Sequence, residues 1–107
     1  MTVHFYSDGG KLTASMTGEL DHHEAEGVLR KISNEVDELL PRDLVLNMGG
    51  VGFMDSSGIA VALRMYKRMG YIGGRMSIEN VRPQPMRIFD AAGIDRLIPV
   101  YGERKER

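Results

Sequence analysis

Apolar residues recur along this chain at two periods, and the places where one period gives way to the other mark out its elements. Leu12, Ala14 and Met16 alternate with Lys11, Thr13, Ser15 and Thr17, the period of two that marks a half-buried strand. Val3 to Tyr6 form a candidate strand before it, and Asp8-Gly9-Gly10 supplies turn residues between the two, so a hairpin opens the chain. From Asp21 the period lengthens: Ala25, Val28, Leu29, Ile32, Val36, Leu39 and Leu40 fall at helical spacing with charged residues between them. Asp21 or His22 starts this helix, and Pro41 stops it by denying the preceding residue a helical conformation. Leu44 to Met48 is short and nearly all apolar, which predicts a strand at the sheet centre covered by helices on both faces. Ile59, Ala62, Leu63, Tyr66 and Met69 then predict a second helix, with Arg64, Lys67 and Arg68 outward and a stop at Gly70. Met76 and Ile78 predict a strand, Pro83 to Ala92 a third helix, and Leu97 to Tyr101 a last strand.

Two opening strands followed by alternating helix and strand predict an α/β fold, a mixed and mostly parallel sheet of four to five strands with helices packed on it. The 107 residues suffice for one core, so a single domain is expected over 1–107, with the charged tail from Glu103 to Arg107 frayed. A hydrophobic content of 42% and a charged content of 27% exclude disorder and a membrane span. A net charge of −1 gives no overall attraction to nucleic acid or to an anionic membrane. The absence of cysteine removes disulfides, thiolate catalysis and sulfur-ligated zinc, and fits a reducing compartment. With no basic stretch followed by an apolar run at the start, the cytoplasm is the expected location.

The chemistry concentrates between the apolar strand and the second helix. Gly49-Gly50-Val51-Gly52-Phe53-Met54-Asp55-Ser56-Ser57-Gly58 reads as a glycine-bearing loop that delivers two hydroxyls to a helix N-terminus. A phosphate placed there is expected to find unpaired backbone N–H groups and the positive end of the helix dipole. Loops beyond strand C-termini are also where sites form in open α/β sheets. The same Asp-Ser-Ser run fits ordinary N-capping, with Asp55 as a cap in either case, and these residues alone leave both readings open. A nucleotide loop would need a Gly-Lys-Ser/Thr ending, which is missing. His22 and His23 would project about 100° apart on a helix with no further ligand at useful spacing, so no metal site is expected. Ser56 with either histidine lacks a Gly-x-Ser-x-Gly elbow, so no hydrolytic triad and no cofactor are expected. Most of the eight methionines belong in a core, with Met54 a candidate soft contact.

Four segments taken together carry a resemblance: Thr17-Gly18-Glu19-Leu20-Asp21-His22-His23, Phe53-Met54-Asp55-Ser56-Ser57-Gly58-Ile59, Arg64-Met65-Tyr66-Lys67, and Arg87-Ile88-Phe89-Asp90-Ala91-Ala92-Gly93-Ile94. In order and spacing they resemble the STAS family, and within it the sporulation-type anti-sigma factor antagonists, from the first strand to about Val100. The resemblance implies a binding protein and not an enzyme. It implies that the serine after the Asp of the Asp-Ser-Ser-Gly motif, here Ser56 and not Ser57, accepts phosphate from an anti-sigma factor that is also a serine kinase. The unphosphorylated form is then expected to bind the anti-sigma factor and release the sigma factor, with a serine phosphatase resetting the cycle. Glu19, Asp21, Met54, Asp55, Ser56, Ser57, Gly58 and Ile59 are the expected partner-binding residues, on a domain monomeric when free. Asp21 stays open between partner contact and helix cap. The alternative is a STAS-type scaffold or sensor that binds a regulator without a phosphorylation cycle. Family members commonly carry another helix after the last strand, which this sequence does not show before Arg107.

Overall fold

Gly9 and Gly10, at φ of 56° and 85°, reverse the chain between strands β1 (Thr2–Asp8) and β2 (Lys11–Leu20), which pair antiparallel from Asp8↔Lys11 to Thr2↔Thr17. The computed structural model describes residues 1–103; of the tail expected to fray, residues 104–107 lie outside the described residues. After the hairpin come α1 (His22–Leu39), β3 (Asp43–Met54), α2 (Ser57–Tyr71), β4 (Arg75–Val81), α3 (Pro83–Ala92), a 3-10 turn (Ile94–Arg96) and β5 (Val100–Gly102). The strands lie in the order β1-β2-β3-β4-β5, and every pair after the first is parallel, each joined by a helix or turn crossing between them. β3 is the central strand, as its apolar run predicts.

The core lies on one face. Leu12, Ala14 and Met16 of β2, Leu44, Leu46 and Met48 of β3, and Ile78 of β4 pack against Val28, Ile32 and Val36 of α1 and Val61, Met65 and Met69 of α2. Coverage of β3 on both faces is overturned. Its alternate positions sit in register with polar neighbours, Val45 between Thr13 and Ser77 and Asn47 between Ser15 and Glu79, and these polar side chains stay half-exposed. Only Val45 in that set is buried.

Three boundaries depart from the sequence pattern. The buried stripe of α2 is Gly58, Val61, Ala62, Met65 and Met69, so Leu63 and Tyr66 fall beside it and are exposed. Gly70 lies inside that helix; the reversal comes at Gly73, with φ of 79°, and the Gly74 N–H closes onto the Met69 carbonyl at 2.7 Å. Residues 97–99 do not begin a strand. The Leu97 and Ile98 N–H groups both donate to the Ile94 carbonyl at 2.9 Å, and Pro99 has no N–H to offer a ladder, so β5 starts at Val100.

The departure that matters most for function is in β3, because the glycine-bearing segment expected to be a loop is its second half. Pairing with β2 continues through Thr17↔Gly50 to Leu20↔Met54 with two register shifts, each of which places an extra residue on β3. Met48, Val51 and Met54 therefore all point into the core at a spacing of three. Gly50 is required by this close pairing: a Cβ there would lie 2.6 Å from Thr17 Oγ1 and 2.7 Å from the Met16 carbonyl oxygen.

Candidate docking site at the junction of β3 and α2

β4 pairs with β3 only as far as Asn47↔Glu79, so the last residues of β3 have β2 on one side and no strand on the other. At Met54 the missing neighbour is replaced by one side chain. Gln84, in the first turn of α3, accepts from the Met54 N–H through Oε1 at 2.8 Å and donates from Nε2 to the Met54 carbonyl at 2.9 Å. The next N–H, of Asp55, donates to the Leu20 carbonyl on the opposite edge at 3.2 Å.

The Asp55 carboxylate then ties two helix starts together. Oδ1 accepts from the Ser57 N–H at 2.8 Å, capping α2, and Oδ2 accepts from the His22 N–H at 3.1 Å, the first residue of α1. The bond from the Ser57 N–H holds this carboxyl below the usual carboxylate range against some desolvation, and the Ser57 hydroxyl and His22 N–H act in the same direction. Asp21 caps α1: its Oδ1 accepts from the His23 and Glu24 N–H groups, both at 3.0 Å.

With Asp55 capping α2, the two serines are left in different positions. Ser56 is exposed, at φ −63° and ψ −15°, and its hydroxyl makes no capping bond, whereas Ser57 is half-buried. The N–H donors of residues 57–60, the first four of α2, are occupied. Ser57 donates to the Asp55 carboxylate, Gly58 to the Asp55 carbonyl at 3.0 Å, and Ile59 and Ala60 to the Ser56 carbonyl at 3.0 and 3.4 Å. A group added to the exposed Ser56 meets the N–H groups of residues 57–60 already bonded within the protein. A hollow of about 230 Å³ beside it is lined by His22, Ala25, Ser57 and Arg64, with Ser56 standing outside.

The sequence profile of the STAS domain matches residues 5–106. The chain belongs to the STAS family. An anti-sigma F factor antagonist of Paenibacillus polymyxa is 34% identical over 92 residues, covering 86% of this chain and 79% of that protein. An anti-sigma factor antagonist of Mycobacterium paratuberculosis superposes with a TM-score of 0.84 at 25% identity, covering 94% of this chain and 84% of that one. SpoIIAA, an anti-sigma factor antagonist and Bacillus cell fate determinant, superposes in its unphosphorylated form with a TM-score of 0.80 and in its phosphorylated form with 0.69. Both are 24% identical and cover 92% of this chain, and this chain covers 87% and 90% of theirs.

In this STAS domain, Glu19, Asp21, Asp55, Ser56 and Ser57 are brought together where β2, β3, α1 and α2 meet. Ile59 is half-buried and packs against the core. Two residues expected at the partner surface are not on it. Met54 is fully buried, and Gly58 is buried over it, where a Cβ would collide with the Met54 side chain and reach Leu20 Cδ2 at 3.2 Å. Both shape the junction from beneath. Phe53, absent from the expected set, is 43% exposed next to Glu19 in the strand register, because the second bulge turns Gly52 and Phe53 outward together. Its place inside the Phe-Met-Asp-Ser-Ser-Gly run was the available signal. Gln84 had none, since nothing local to it points toward β3.

Proposed function

We propose that this STAS domain is an anti-sigma factor antagonist controlled at Ser56. The unmodified chain binds an anti-sigma factor that is also a serine kinase, and the sigma factor is released. The kinase transfers the γ-phosphoryl group of ATP to Ser56 Oγ: the new O–P bond forms as the bond to ADP breaks, and the hydroxyl proton leaves to a base on the kinase. A serine phosphatase hydrolyses the ester, returning the serine and inorganic phosphate.

The observation that carries this reading is the division of labour at the α2 start, where Asp55 supplies the cap and Ser56 is exposed with its hydroxyl uncommitted. Had Ser56 been the cap, its hydroxyl would be turned toward the helix and a phosphate would uncap it. The names of the relatives support the partner class, and a relative solved in a phosphorylated form supports the modification. Phosphate adds about −1.5 to −2 charges beside Asp55, with the N–H donors of residues 57–60 already in use, so docking would have to desolvate that charge.

The test is incubation with the cognate anti-sigma kinase and ATP, followed by intact mass measurement and peptide mapping of the wild type, Ser56→Ala and Ser57→Ala chains. The expected result is one phosphoryl group on Ser56, lost in Ser56→Ala and retained in Ser57→Ala. Phosphate on Ser57, or an unmodified wild type, contradicts the proposal.

A further inference from the structure

We infer that Gln84 is a positioning residue for the phosphoacceptor: acting through the Met54 backbone, it holds the Ser56 segment in the pose on which the partner docks. The inference deepens the functional reading above and rests on it. A glutamine amide offers one donor and one acceptor in a plane, which is what a neighbouring strand would offer a single residue, and here both are used on one peptide position at 2.8 and 2.9 Å. Met54 is thus held from both edges, by its parallel pairing to Leu20 on the β2 side and by Gln84 on the α3 side.

The clamp sits two residues before Ser56. Met54 is the last residue of β3 and Ser57 the first of α2, so the phosphoacceptor hangs between a gripped strand end and a capped helix. Gln84 itself is stiffly presented, with Pro83 and Pro85 on either side of it in a helix start where missing N–H groups do no harm. Gln84 is half-buried at the back of the junction, on an element other than those that carry Ser56 and the residues around it. Without the amide, two backbone groups beside the core lose their partners, and the segment must be ordered during docking instead of before it. A loss of preorganisation is felt in binding and not in the chemistry of a docked hydroxyl, so it separates KM from kcat.

The test uses the full chain as Gln84→Ala and Gln84→Leu. The leucine keeps much of the bulk and offers neither the acceptor used by the Met54 N–H nor the donor used by the Met54 carbonyl. Phosphorylation by the cognate kinase is measured against substrate concentration, and amide hydrogen exchange is followed by NMR. The expected result in both variants is a KM about tenfold higher with kcat changed less than about twofold, the size of effect one hydrogen-bonded partner commands. Exchange should accelerate at Met54 and Asp55, whose N–H groups are bonded at this strand end, while the α1 and β2 amides keep wild-type protection. Unchanged exchange at Met54 overturns the clamp, and faster exchange with unchanged KM overturns its role in positioning. If Gln84→Ala does not fold, Gln84→Leu decides by the same two readouts. A wild-type chain that the kinase leaves unmodified refutes the functional reading and this role with it, and the exchange data then assign the clamp to structure alone.

Discussion

Both oxygens of the Asp55 carboxylate are occupied by backbone N–H groups, one at the start of each of two helices, so this single residue fixes how α1 and α2 begin relative to β3. The arrangement favours the ionised form, and the folded carboxyl titrates below its unfolded value of about 3.9. A depressed acid contributes stability that is present above the unfolded value and is lost as pH falls through the lower folded one. Asp55→Asn removes that titration. It also leaves one oxygen to serve two donors, with an NH₂ group facing the second. Urea midpoints measured from pH 7 down to pH 3 should show the variant less stable at neutral pH, with the gap closing below about pH 4. Parallel curves across that range would mean that Asp55 does not join the two helices in the ionised form. Asp21 differs, because its two bonds fall on one oxygen and serve one helix.

At the level of elements, the second half of β3 shows how much a short stretch of bulged strand can hide. The Pro83–Ala92 helix and the Asp21 start of α1 were legible because proline and aspartate act locally, through φ and through capping. Residues Met48 to Met54 were not, because two bulges change the inward spacing from two to three and place glycine where backbones approach closely. The α2 stripe was misread for a related reason: Gly58 and Val61 belong to it, and a glycine gives no hydrophobic signal. Gln84 was illegible since its partner lies 30 residues away and only the folded sheet edge makes the amide useful. The Gly58 contact gives a sign that propensity alone gets wrong. Alanine should gain about 1 kcal/mol over glycine inside a helix, yet overpacking a buried contact costs about 1–3 kcal/mol. Gly58→Ala should therefore lose up to about 2 kcal/mol in urea unfolding, while Gly27→Ala, where a Cβ meets nothing within 4 Å, should gain about 0.5–1 kcal/mol. A gain at both sites would show that Met54 yields and that the junction is looser than its packing implies.

For the whole molecule, the layout separates support from display. Met54, Gly58 and Gln84 hold the junction from the buried side, and Glu19, Phe53 and Ser56 present an exposed surface at the ends of β2 and β3. No helix among the described residues is long and apolar enough to cross a membrane. Because the Ser56 hydroxyl makes no capping bond and the N–H donors of residues 57–60 are engaged elsewhere, phosphate is expected to have little to pull on inside the domain. Its effect is expected at the docking surface, through charge and bulk. Moving a partner from about 99% to about 1% bound takes about 5.5 kcal/mol, within reach of an uncompensated charge in a closed interface. The most direct measurement is a calorimetric titration of the anti-sigma factor with the unmodified chain and with the same chain stoichiometrically phosphorylated on Ser56, with Ser56→Ala and Ser56→Asp alongside. Tight binding is expected of the unmodified and Ser56→Ala chains, weak binding of Ser56→Asp, and a loss of at least about 100-fold on phosphorylation. Equal affinity for the phosphorylated and unmodified chains would contradict it.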